Sequence, residues 1–118
     1  MRRFRANVAA ATELADMNVL AVIVAENEDG SGACLEVQRA LSFDEQDRVL
    51  GQDTYCIRTE TGATHYGGVT SWAVTANVLE VRLDAEAAAE LGVQEGFLIA
   101  IKPDHVQMLQ EGLTRVVR

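Results

Sequence analysis

Proline is nearly missing from this sequence: Pro103 stands alone in 118 residues, and no low-complexity run or internal repeat accompanies it. Nothing reads as a linker, so residues 1–118 are expected to form one domain, long enough to bury a single core. Cysteine is almost as scarce. Cys34 and Cys56 are the only two, too few and too widely spaced for a zinc pattern, so they read as reduced, packed thiols, with no metal or cofactor expected. No apolar run approaches the roughly 18 residues of a membrane span; "NVLAVIVA" (Asn18 to Ala25) is stopped at once by Glu26. The opening "MRRFRANVAAATELAD" sets arginines before alanines, but it has no convincing apolar centre and carries Glu13 and Asp16. A secretory signal is therefore rejected. The expectation is a cytoplasmic chain with no membrane partner.

Basic residues are short as well. Ten face eighteen acids, a net charge of −8, and half of the ten sit at the two ends. Residues 6–114 keep all eighteen acids against Arg39, Arg48, Arg58, Arg82 and Lys102, a net of −13. Such a body repels phosphate backbones, which excludes nucleic acid as a partner. It attracts basic proteins and speeds encounter with them.

What is present is material for a fold. Apolar residues make up 48% of the chain, enough for a packed core. "FRANVAAA" (Phe4 to Ala11) reads as a strand with Phe4, Ala6 and Val8 on one face. "NVLAVIVAE" reads as a central strand covered on both faces. "NEDGSG" (Asn27 to Gly32) is a turn, and "ACLEVQRA" alternates with Leu35 and Val37 inward, so the two strands form an antiparallel hairpin. An EF-hand reading of this loop fails, because its first ligand position falls on Ala25. "SFDEQDRVLG" (Ser42 to Gly51) spaces Ser42 and Glu45 as a capping box and ends in glycine, a short helix. "VTANVLEVRL" supplies a turn at Ala76-Asn77 and a strand with Leu79, Val81 and Leu83 inward. "DAEAAAELG" is a helix capped by Asp84 and ended by Gly92. "GFLIAIK" is a further strand, and "PDHVQMLQEGLTRVVR" a terminal helix with His105 exposed in its first turn. The sum is an α+β fold, a mostly antiparallel sheet of about six or seven strands with two or three short helices.

"GQDTYCIRTETGATHYGGVTSW" (Gly51 to Trp72) concentrates the unusual chemistry: Cys56, His65, both tyrosines and the only tryptophan. A two-residue turn at Thr61-Gly62 pairs Arg58 with His65, Ile57 with Tyr66 and Tyr55 with Gly68. Tyr55, Ile57, Tyr66, Trp72 and Val74 then share one face, and Cys56, Arg58 and His65 the other. Tyr55 covers the bare backbone of Gly68, and a bulge at Gly67-Gly68 would reverse the faces beyond it. Cys56 as nucleophile with His65 as base is the one enzymatic pairing available. It lacks a helix N-terminus, an oxyanion hole and any cue that lowers a thiol pKa. No GxGxxG, Walker A, HExxH or GxSxG motif occurs. No catalytic residue is assigned, and binding is favoured over chemistry.

The binding candidates are the acids Asp44, Glu45, Asp47 and Asp53 with the adjacent Tyr55, because carboxylates beside an aromatic suit a basic protein surface. Tyr66, Gly67, Gly68 and Trp72 read as structural, with an interface anchor as the other reading for Tyr66 and Trp72. "LEVQR" at 35–39, "DEQDRVLGQDTYC" at 44–56, "YGGV" at 66–69 with Trp72, and the alanine-rich helix before Gly92 together resemble the immunity protein 10 family of bacterial polymorphic toxin systems, over roughly residues 19 to 101. The resemblance implies a small cytoplasmic, non-catalytic protein that binds and neutralises a cognate toxin domain, one that the acidic body would suit if it were basic. A homodimer is compatible with the sequence. A structural or small-ligand-binding module without a toxin partner, or a small Cys/His enzyme, are the alternative readings.

Overall fold

The computed structural model describes every residue from Met1 to Arg118. Nine strands form two sheets, and three α-helices and two 3-10 turns accompany them. The strands are β1 (Arg2–Arg5), β2 (Val8–Leu14), β3 (Val19–Ala25), β4 (Cys34–Ala40), β5 (Cys56–Thr59), β6 (Thr64–Tyr66), β7 (Val69–Thr75), β8 (Val78–Leu83) and β9 (Gly96–Ala100). The helices are α1 (Glu45–Val49), α2 (Ala85–Leu91) and α3 (Val106–Val116). One sheet runs β1-β9-β8-β7 and the other β2-β3-β4-β5-β6; only the β1–β9 pairing is parallel. The chain is α+β, as expected, but with nine strands rather than six or seven.

The two additional strands arise where the chain passes between sheets. Residues 4–11 do not form one strand. Ala6, 1% exposed, donates its amide to the Ala100 carbonyl, while the Asn7 side chain donates to the Glu26 carbonyl, so these neighbours belong to opposite sheets. The second passage is Gly67-Gly68, with φ of +72° and +98°, a region open to glycine at no steric cost. A Cβ on Gly68 would lie 2.5 Å from the Ala87 Cβ, so the passage also lets α2 approach. The expected bulge falls further on, between Val69 and Ser71.

Both sheets turn one face to a common core of 20 buried residues. Leu20, Val22 and Val24 of β3, Leu35 and Val37 of β4, and Ile57 of β5 meet Leu79, Val81 and Leu83 of β8, Phe97 and Ile99 of β9, and Leu109, Leu113 and Val116 of α3. Truncating a fully buried member such as Leu109 would cost about 2–5 kcal/mol. α3 reaches the five-stranded sheet at Gly112, where a Cβ would meet Val22 Cγ2 at 2.8 Å. β3 is fully covered on one face only: Val19, Ala21 and Ile23 stay half-buried on the outer side.

The β5–β6 hairpin is one residue out of the expected register. Cys56 pairs with Tyr66, Ile57 with His65 and Arg58 with Thr64. A two-residue loop would demand positive φ at Thr61, which a β-branched residue resists. The chain uses a longer loop instead, with Gly62 at φ +85° and Gly62 N–H donating to the Thr59 carbonyl. The slip turns every β6 side chain over. His65 joins the Ile57 face and Tyr66 joins the Cys56 face. Trp72 and Val74, paired with Val81 and Leu79, pack half-buried against the core. His105 is also not exposed: it lies half-buried in the 3-10 turn before α3, and its Nδ1 lacks a partner.

Candidate functional site

The segment between β4 and β5 leaves the sheet through Phe43, whose ring lies 5.0 Å from the Arg39 guanidinium, a cation–π contact. Asn18, in the turn before β3, fastens the same segment: its side chain donates to the Ser42 carbonyl at 3.0 Å and accepts from the Ser42 amide at 3.1 Å. α1 then begins two residues later than Ser42 predicted. Asp44 is the N-cap, accepting from the Asp47 amide at 2.8 Å, and the Asp47 carboxylate accepts from the Asp44 amide at 3.1 Å. Aspartate serves both halves of the capping box because its short carboxylate reaches the exposed amides from either position.

This cap does most of the local holding, since α1 buries no residue. Val49 is 78% exposed and Leu50 58% exposed. Between α1 and the outer face of the five-stranded sheet lies a groove of about 190 Å³, lined by Asn18, Gln38, Phe43, Asp47, Cys56 and Tyr66 among others. Tyr66 is 44% exposed there. Met17 and Leu41, both exposed, flank Asn18 and Ser42. The segments around the groove thus expose both apolar side chains and carboxylates.

The sequence-derived candidates separate cleanly here. Asp44, Glu45 and Asp47 lie on α1 and its cap, and Asp53 in the loop beyond it. None of the four is in an ion pair. Asp44 and Asp47 are occupied by the cap, while Glu45 and Asp53 make no side-chain hydrogen bond. Some acids elsewhere are paired, Glu60 with Arg2 at 2.8 Å and Glu13 with Arg115 among them. Tyr55 is not at this surface. It is 6% exposed, and its hydroxyl accepts from the Val69 amide at 2.9 Å, bracing the passage at Gly67-Gly68. The exposed aromatic is Tyr66, which the slipped register hid from sequence reasoning; the β-branched Thr61 at the turn was the available signal.

The Cys56–His65 pairing is dissolved by the same slip, which puts the two on opposite faces of the sheet. Burial pushes both the Cys34 and the Cys56 thiols up in pKa, with Glu36 adding to each, so neither is an activated nucleophile. Both are free cysteines. The Asn27–Gly32 turn spends its polar groups internally: Asp29 accepts from the Ser31 amide and hydroxyl, and Glu26 from the Ala33 amide. One cluster has the makeup of a metal site, His65 with Glu86 and Glu90.

A family model described as Immunity protein 10 matches residues 5–108. The chain belongs to the immunity protein 10 family. No curated protein and no solved structure matches it significantly. In this Imm10 chain the matched region takes in the α1 segment and the core residues of both sheets and α2, and stops short of Leu109, Leu113 and Val116 of α3. No helix is long and apolar enough to cross a membrane.

Proposed function

We propose that this Imm10 protein is a cytoplasmic, non-catalytic immunity protein that binds a cognate toxin domain and neutralises it, with α1 and the adjoining groove as the contact surface. The observation that carries the placement is α1 itself, a helix that buries nothing while exposing Val49 and Leu50 between unpaired acids. A short helix gains little from propensity alone, so apolar residues left outside on it fit the centre of a partner interface. Asp44 and Asp47 shape the helix, Glu45 and Asp53 supply free charge, and Tyr66 forms the aromatic wall. Family membership supports a toxin as the partner in general, and the acidic body favours a basic one through electrostatic steering. At this surface a small ligand is the weaker reading, because the groove of about 190 Å³ is below the ~300–1,000 Å³ of ordinary ligand pockets.

The test is co-expression with the effector domain encoded beside the gene, scoring growth and copurification. Rescue of growth with a stable complex is the expected result; a harmless neighbour, or failure to rescue, refutes the immunity reading. The placement is read separately. V49S/L50S should weaken the complex while leaving the fold intact, and unchanged affinity moves the interface elsewhere.

A further inference from the structure

We propose that His65, Glu86 and Glu90 form a binding site for one divalent transition-metal ion, with zinc the best match, clamping α2 to β6. The register places His65 on the inner side of β6, opposite Ile57 and toward α2. α2 presents Glu86 and Glu90 one helical turn apart on a single face. His65 Nδ1 lies 3.0 Å from Glu90 Oε2, and one ligand atom from each of the three residues falls within 4.8 Å of the others. Ions bound at about 2.0–2.2 Å in tetrahedral geometry hold their ligands roughly 3.4 Å apart. Two of the three are therefore already near that spacing, and the exposed Glu86 carboxylate lies within 4.8 Å of both.

The imidazole is held in place for this. Its side chain is 11% exposed, and Gly68 runs so close that a Cβ there would meet His65 Cδ2 at 3.1 Å. Glu90 is 52% exposed, which leaves a route for the ion and a fourth position for water. An ion pair alone accounts for less of the arrangement. It needs a protonated imidazole, and it leaves Glu86 beside Glu90 as an uncompensated like-charge pair on one helix face. A divalent cation satisfies both carboxylates and takes His65 neutral.

The donor set selects the ion. One imidazole and two carboxylates suit zinc, which fills three protein positions and keeps one open. Calcium takes six to eight oxygens and magnesium a near-ideal octahedron, neither of which three residues supply. The thiols do not compete, since Cys34 and Cys56 face the opposite side of the sheet. His65 and Tyr66 are neighbours on β6 with opposite orientations, so an ion at His65 would stiffen the strand that presents Tyr66 to the groove.

The experiment is calorimetric titration of ZnCl2 into the full-length, EDTA-stripped protein, with the visible spectrum of a cobalt titration and NMR of the His65 ring as second readouts. The expected result is one ion per chain, a shift of the His65 ring resonances, and an affinity reduced at least ~10-fold in both H65N and E86Q. Glu86 makes no hydrogen bond or ion pair in the fold, so E86Q keeps the test meaningful if H65N is unstable. E95Q serves as a surface control and should bind as the parent does. No saturable binding overturns the proposal. So does binding that E86Q leaves unchanged, which would place the ion on other carboxylates.

Discussion

α1 and α2 are both short, acidic and capped by an aspartate, yet they do opposite work. α2 buries Ala87, Ala88 and Leu91, and ends at Gly92 in a left-handed turn. α1 buries nothing, and its capping box is nearly its whole support. The difference lies in the residues behind each cap. "AEAAAEL" gives α2 a small-residue face that can approach Gly68 and β6 closely, whereas "EQDRVL" places its apolar pair at the end of the helix, where it points away from the core. The same aspartate N-cap thus starts a structural element in one place and a displayed surface in the other.

The largest effect should come from breaking the α2 side. Gly68→Ala would force a side chain into φ +98° and set its Cβ 2.5 Å from that of Ala87. Backbone strain and overpacking together predict a loss of roughly 2–4 kcal/mol in urea unfolding. A loss under ~1 kcal/mol would mean α2 can retreat and is not anchored as described. V49S/L50S should reverse the pattern, lowering toxin affinity by at least ~10-fold, about 1.4 kcal/mol, with global stability unchanged within ~0.5 kcal/mol. A stability loss comparable to that of Gly68→Ala would show that α1 belongs to the core after all.

The caps sharpen the same contrast at a smaller scale. Asp84→Ala should cost about 1 kcal/mol of global stability, since the helix it starts is part of the core. Asp44→Ala removes an equivalent bond, but its cost should appear as faster hydrogen exchange confined to residues 45–52, with little change in the unfolding midpoint. Equal global costs from the two substitutions would erase the distinction.

How much of this was legible from sequence depended on whether the deciding interaction was local. Asp84, Gly92 and the Ala76-Asn77 turn carry their own chemistry, and the structure places each as read, with both turn residues at positive φ. The inward set Leu79, Val81 and Leu83 follows from simple alternation and is buried. The passages at Ala6-Asn7 and Gly67-Gly68 were not legible, because which sheet a strand joins is decided by partners far along the chain. The hairpin register turned on one loop residue, and with it went the faces of His65 and Tyr66. The carboxylates of the α1 segment could be picked out as unusual, but not which two were spoken for by the cap.

The smallest expected effect separates acids employed by the fold from acids left free. Glu60 accepts from the Arg2 guanidinium and from the Cys34 amide at 2.9 Å. Partial burial opposes its charge, yet these bonds outweigh it and hold the carboxyl below its ordinary pKa. A carboxylate depressed in the folded state contributes stability that is complete above its unfolded pKa and lost as pH falls through the folded one. The loss should therefore develop only in acid, below the normal glutamate range. Solvent screening keeps its size near that of a surface pair, about 0.5 kcal/mol. E60Q should remove this increment at neutral pH and flatten that part of the stability–pH curve. E45Q/D53N should leave stability in place and act only on the toxin, slowing association and weakening its salt dependence. An association rate indifferent to both substitutions and to salt would remove steering by this loop while leaving the apolar contact to stand alone.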